Sequence, residues 1–138
     1  MTTYLAGTDG GAASEVIGDF LTGEVDEGDH VEIVNVLTTD EVDDRHEGEE
    51  AIEQLADRLD GMEVTVTSQQ LARGRPPAEE LVEHARDVGA DHVVTALRRH
   101  SRTERIIFGS VSHTLLQRID RPITLVPLPE YQPPEDAE

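Results

Sequence analysis

Residues 108–126 read FGSVSHTLLQRIDRPITLV, and this stretch decides how the rest of the chain is interpreted. A glycine-serine pair, Gly109 and Ser110, precedes an amphipathic segment, and a short β-branched segment follows it. Such a pair at a helix start leaves backbone N–H groups unpaired, and those groups can bind an anion. The pair can equally serve only as the helix start, with serine as the cap and glycine relieving strain.

Four arginines lie within eight positions just before this pair, namely Arg98, Arg99, Arg102 and Arg105. All eleven basic residues of the chain are arginines, so this loop is the main concentration of positive charge. One interpretation is a site for a phosphate-type ligand, in which guanidinium groups replace backbone donors and favour a small anion. The other is a solvated loop that neutralises an acidic surface, where each exposed ion pair contributes little.

The length and composition indicate one domain with a very acidic surface. The chain has 138 residues, 30 acids and 11 arginines, and a net charge of −19. Such a surface repels nucleic acid and anionic lipid, so we expect neither nucleic acid nor membrane as a partner. We expect a halophilic, archaeal source, the alternative being an acidic mesophilic protein. Residues 1–60 carry a net charge of −16 and residues 61–138 only −3, so the second half better tolerates an anionic ligand.

The sequence lacks the residues and motifs that several classes of protein require. No apolar run approaches the roughly 20 residues that span a bilayer, and the first residues lack a signal-peptide pattern, so we expect a cytoplasmic protein. Without cysteine there is no disulfide or thiolate site. Without lysine there is no P-loop or Schiff base, and no GxSxG elbow or paired histidines occur. Catalytic and metal-binding residues are therefore not assigned, and an enzyme role stays uncertain.

Hydrophobic periodicity predicts alternating strands and helices along the chain. The predicted strands are 2–8, 30–37, 62–70, 91–96 and 122–126, and the predicted helices are 12–21, 40–59, 78–88 and 106–119, with a polar loop at 97–105. In the first helix Ser14 is a candidate cap, and in the third Pro77 suits the first position and Gly89 the end.

This alternation predicts a single α/β domain over residues 1–127, followed by an acidic, proline-rich tail over 128–138. We expect a Rossmann-like, five-stranded parallel sheet with helices on both faces and strand order 3-2-1-4-5. In such sheets ligands bind at the carboxyl ends of the strands, where the strand order reverses. The loops 8–12, 37–40 and 96–112 meet there. Asp9, in the first of them, is a candidate for a ribose hydroxyl or for orienting the turn.

From Tyr4 to Val126 the sequence resembles the universal stress protein family. The resemblance depends on four motifs in order: Thr8-Asp9-Gly10, Gly74-Arg75-Pro76-Pro77-Ala78, Val88-Gly89-Ala90-Asp91-His92-Val93-Val94, and Phe108-Gly109-Ser110-Val111-Ser112 with Arg121-Pro122-Ile123. It implies stress-linked binding or regulation, with ATP, AMP or another phosphate-bearing anion as the candidate ligand and no cofactor certain. It also implies a homodimer through the last strand, Pro122 to Val126, which would otherwise be an uncovered apolar edge.

Nucleotide-binding members of that family carry glycine, two residues, glycine, nine residues, glycine, then serine or threonine. The three glycine slots fall here on Ala96, Arg99 and Gly109, so two of them carry side chains where phosphates would lie. The resemblance implies nucleotide contacts at Asp9, the Val36 backbone, Gly109, Ser110 and Val111, to which we add Ala96, Arg98 and Arg99. The alternative functions are a dimeric partner-binding module that binds no nucleotide and a weak ATP hydrolase.

Overall fold

The computed structural model of the chain describes residues 1–97 and 110–128. The strands are β1 (Thr3–Gly7), β2 (His30–Val36), β3 (Thr65–Leu71), β4 (His92–Leu97) and β5 (Ile123–Pro127), and the helices are α1 (Gly11–Thr22), α2 (Val42–Leu59), α3 (Pro77–Val88) and α4 (Ser110–Arg118). Within these residues, no helix combines the length and the apolar character needed to cross a membrane.

The five strands form one parallel sheet in the order β3-β2-β1-β4-β5, which confirms the predicted fold class and topology. Because every strand runs in the same direction, all five carboxyl ends lie at one edge. β1 is central and is buried along its whole length. β3 and β5 are the two outer strands, as the sequence predicted for the last strand.

Each face of the sheet has its own aliphatic core. On one face α1 and α2 pack against the sheet, and that core includes Ile17, Leu55 and Ile33. On the other face α3 and α4 do the same, and that core includes Leu81, Leu115 and Val34. Neighbouring residues of β2 contribute to opposite cores because side chains alternate along a strand.

The end of α3 shows why two distant sequence motifs occur together. Gly89 ends the helix in the left-handed conformation, with φ +67°, which glycine adopts without a Cβ penalty. The Arg121 guanidinium then donates to the carbonyl oxygens of Ala85 and Ala90, at 3.1 and 2.6 Å. The Ala85 carbonyl also accepts the Ala90 N–H at 2.9 Å, so Arg121 is an additional donor there, and it ties the segment before β5 to the turn that leads into β4.

The largest boundary corrections are at the starts of β3 and of the second helix, and the other described boundaries differ from the prediction by at most one residue. β3 begins at Thr65 rather than Met62, because Gly61, with φ +88°, opens a turn in which the Val64 N–H bonds to the Met62 carbonyl. The second helix begins at Val42 rather than residue 40. The predicted polar loop after Leu97, the helix start at 106 and the tail after 128 lie outside the described residues.

Asp29 anchors the amino edge of the sheet. Its buried carboxylate accepts hydrogen bonds from the backbone N–H groups of Asp26 and Thr2, both at 2.8 Å. These two donors hold the pKa of the Asp29 carboxyl below its ordinary value because they stabilise the charged form. The contact joins the start of β1 to the turn before β2.

We expect Asp29→Asn to lower the free energy of unfolding by about 1–2 kcal/mol at pH 7, since a charge-assisted hydrogen bond is lost. A carboxyl with a lowered folded-state pKa stabilises the fold above its unfolded-state pKa of about 3.9 and loses that contribution as the pH falls further. The difference between wild type and variant should therefore be constant above about pH 5 and shrink below about pH 4. Chemical denaturation across pH measures this. Glu27→Gln, an exposed acid of the same turn, is the control, and a pH-independent difference for Asp29→Asn would contradict the assignment.

Candidate functional site

β1 and β4 are neighbouring strands whose following helices pack on opposite faces of the sheet. After β1 the chain enters α1, which packs on one face, and α4, which follows β4, packs on the other. In parallel sheets, a ligand-binding crevice forms where the connections after neighbouring strands lead to opposite faces. This crevice is where the sequence predicts an anion or nucleotide.

The structure brings part of the predicted site to this edge. Asp9 is exposed two residues after β1, Val36 is the last residue of β2, and Ala96 is the last but one of β4. The side chains of Val36 and Ala96 pack on opposite faces of the sheet, so only their backbones share one edge. α4 begins at Ser110, followed by Val111. Arg98, Arg99 and Gly109 lie outside the described residues.

The turn that carries Asp9 is held by hydroxyl groups on either side of it. Thr8 and Gly10 are buried, although Asp9 between them is exposed. The Thr8 hydroxyl lies 3.1 Å from the Gly10 carbonyl oxygen and 2.8 Å from the hydroxyl of Ser14. Ser14 in turn donates to the Ala51 carbonyl at 2.6 Å. Its proton is thereby used, so Thr8 donates its own proton to these neighbours.

Ser14 is therefore not the helix cap that the sequence suggested. α1 begins at Gly11, and its N-cap residue is Gly10, which makes no side-chain cap hydrogen bond. Ser14 lies one turn inside the helix and is fully buried, where its hydroxyl joins α1 to the backbone of α2. The first N–H groups of a helix lack intrahelical acceptors, and those of α1 lie at the same edge of the sheet as Asp9.

Sequence reasoning missed Asn35, which lies next to Val36 in β2. Its side chain is buried, and its amide nitrogen donates to the Thr8 carbonyl at 2.9 Å. Its amide oxygen accepts from Nε2 of Gln70 at 3.1 Å. α2 passes close to it at Gly48, where a Cβ would lie 2.1 Å from Asn35 Oδ1. The available signal was a polar residue inside the otherwise apolar run of β2.

A profile of the universal stress protein family matches residues 3–127. The chain belongs to the universal stress protein family. The stress response protein NhaX of Bacillus subtilis (strain 168) is 44% identical over 50 residues, which is 36% of this chain and 30% of that protein. The aligned segment thus spans about a third of each chain.

Solved structures show the same fold. A universal stress protein from Archaeoglobus fulgidus has a TM-score of 0.71 and 22% identity, over 91% of this chain and 98% of that one. The universal stress protein from Archaeoglobus fulgidus in complex with dAMP has a TM-score of 0.66 and 20% identity, over 91% and 98%. At these identities the likeness concerns the fold alone.

Because α2 approaches Asn35 so closely at Gly48, we expect Gly48→Ala to destabilise the protein, which is the opposite of the usual effect of this substitution inside a helix. Glycine to alanine inside a helix ordinarily stabilises a protein by about 1 kcal/mol. Here the new Cβ would overlap the buried Asn35 amide, which makes two hydrogen bonds. We expect Gly48→Ala to lower the free energy of unfolding by about 1–3 kcal/mol, the usual cost of overpacking.

In an Asn35→Ala background the overlap with Asn35 is gone, and Gln70 Nε2, which lies 2.7 Å from the new Cβ and bonds to the Arg45 carbonyl, is the group that must still shift. Adding Gly48→Ala to that variant should then cost less stability than it does in the wild type. A double-mutant cycle by chemical denaturation measures the coupling. Stabilisation by Gly48→Ala in the wild-type background would show that the two groups do not compete for space.

Proposed function

We propose that the protein binds a phosphate-bearing anion, with a nucleoside monophosphate as its preferred form, in the crevice at the carboxyl ends of β1 and β4. The observation that carries the proposal is the fixed β1–α1 turn. Buried hydrogen bonds hold Thr8 and Gly10, so Asp9 and the start of α1 occupy a set position at the crevice. The dAMP complex of the Archaeoglobus fulgidus relative supports a nucleotide as the ligand.

The preference for a monophosphate follows from the glycine slots. A Cβ at Ala96 and a long side chain at Arg99 occupy positions where glycines let backbone approach a phosphate chain. A single phosphate needs less of that space than a triphosphate. It also gains from arginine, whose guanidinium group offers paired donors to phosphate oxygens. Asp9 is the residue for the ribose hydroxyls, and Val36 contributes through its backbone.

We expect AMP to bind more tightly than ATP in calorimetric titrations in molar salt with magnesium. Arg99→Gly should raise the affinity for ATP by about tenfold, the equivalent of about 1.4 kcal/mol. Arg58→Gly, which removes an arginine from α2, is the matched control and should change neither affinity. Equal binding of ATP by wild type and Arg99→Gly would remove steric exclusion as the explanation.

Asp9→Asn tests the ribose contact separately from the phosphate. It should weaken AMP binding by about tenfold, the loss of one charge-assisted hydrogen bond, and leave binding of inorganic phosphate unchanged. Equal weakening of both ligands would assign Asp9 a general role in the turn. Phosphate release from ATP above background in the same samples would favour the hydrolase alternative, and absence of binding by wild type would favour the partner-binding module.

We further propose a homodimer in which the β5 edges of two copies pair. The Pro122 carbonyl and the Leu128 N–H bond to β4, so by alternation Ile123 and Leu125 direct their backbone groups outward. β5 is half-buried, carries no charge, and has its one proline, Pro127, only at its last residue, whereas edge strands are usually protected by charge, proline or pairing. Pairing across a two-fold axis would supply the missing hydrogen bonds.

Leu125→Pro should convert the dimer to a folded monomer, because it removes an outward donor and leaves the β4 ladder intact. Light scattering after size exclusion measures the mass, and circular dichroism checks the fold. Ser68→Pro is the matched control, since the bonds of Thr65 and Leu71 to their neighbours place the Ser68 N–H on the outer side of β3. Dissociation by Ser68→Pro instead of Leu125→Pro would assign the interface to β3, and a monomeric wild type would contradict the dimer.

A further inference from the structure

The Asn35 side chain joins three separate elements at the carboxyl edge. Its Nδ2 group donates to the Thr8 carbonyl in the β1–α1 turn, and its Oδ1 atom accepts from Gln70 in β3. The same Gln70 nitrogen donates to the Arg45 carbonyl in the first turns of α2, at 3.0 Å. A continuous chain of hydrogen bonds thus runs from the turn that carries Asp9, through β2 and β3, to α2.

The orientation of both amides in this chain is determined by their neighbours. The carbonyl oxygens of Thr8 and Arg45 can only accept, so each must face an amide NH₂ group. That requirement leaves Oδ1 of Asn35 directed at Gln70 Nε2, as observed. No alternative assignment of the Asn35 amide satisfies both ends, and a buried amide group left without partners is costly.

The packing around Asn35 leaves it little freedom to move. The residue is 3% exposed, and α2 approaches it at a position that has no side chain, Gly48. The Thr8 N–H, in the peptide group before the one whose carbonyl Asn35 binds, bonds to the Val34 carbonyl at 3.0 Å. The backbone of the turn is therefore fixed from β2 at both Thr8 polar groups.

We propose that Asn35 is a positioning residue for the anion site: it fixes the β1–α1 turn relative to β2, so that Asp9 and the Val36 backbone are held in place before a ligand binds. This inference rests on the proposed function for its ligand, but its structural part concerns the free protein. A binding loop that is ordered in advance costs less to immobilise on binding, so Asn35 contributes affinity without touching the ligand.

Asn35→Leu is the test, because leucine has a similar shape and adds no charge that would itself repel an anion. Amide hydrogen exchange of Thr8 and Ser14, whose N–H groups bond to Val34 and Gly10, reports order in the turn. Both amides should exchange about tenfold faster, the equivalent of one lost hydrogen bond, while amides of the buried strand β1 such as Leu5 change less. The dissociation constant of AMP should rise by about the same factor.

Glu32→Gln is the control for a general loss of stability that does not involve the β1–α1 turn. Glu32 lies three residues earlier in β2, on the opposite face of the sheet, where it is buried and bonded to His84 at 2.7 Å. This variant should lower the melting temperature but leave the Thr8 exchange rate relative to Leu5, and the AMP affinity, within about twofold of wild type. If Asn35→Leu does not fold, Asn35→Ser provides the same loss of the Thr8 contact in a smaller side chain.

The possible results separate the two proposals. Faster exchange in the turn together with weaker AMP binding supports the positioning role. Faster exchange in a protein that binds no AMP, before or after substitution, supports the role of Asn35 in the turn and overturns the proposed ligand. Unchanged exchange at Thr8 and Ser14 in a folded Asn35 variant overturns the positioning role, whatever AMP does.

Discussion

The turn after β1 has to satisfy its own buried backbone groups, and the carboxyl edge of the sheet is arranged around that requirement. Thr8 is 3% exposed, so water cannot hydrogen bond to its carbonyl, and leaving such a group unpaired costs about 1–3 kcal/mol. Asn35 supplies the donor from the neighbouring strand. The Asn35 amide fits in that position only because the residue of α2 that faces it, Gly48, has no side chain.

The same close approach extends along the layer of α1 and α2. A Cβ on Gly11 would lie 3.0 Å from Gln54 Oε1, and one on Gly18 would lie 3.1 Å from Arg58 Cγ. Ser14 adds its hydrogen bond to the Ala51 backbone between these two points. α1 therefore contacts α2 through its own small residues over about two turns. Because α1 begins at the Asp9 turn, its position against α2 also sets the position of that turn.

Apolar spacing was sufficient to predict every described element, because burial of one face repeats with the period of the helix or strand. The strand order came instead from taking the strand-helix alternation as a Rossmann-like fold. Apolar spacing was not sufficient for the first residues of β3, where Met62 and Val64 pack on the core from a turn rather than from a strand. Nor could it assign Ser14, since a serine near a helix start is a cap or a buried contact depending on where the helix begins. Asn35 shows the general limit: periodicity predicts that a polar residue is buried, but its partners come from elements distant in sequence.

The acidic composition constrains how an anion can bind. Within the described residues three acids are buried, Asp29, Glu32 and Glu80, and each has hydrogen-bonding partners, which leaves the remaining acids half-buried or exposed. At 1 M salt the Debye length is about 3 Å, so neither that surface nor the arginines act on a ligand at long range. The binding that we propose would then depend on short hydrogen bonds from groups already in position. The proposal invokes the turn held by Asn35 and the start of α1 as these groups, and for it the order of the turn matters more than the net charge around it.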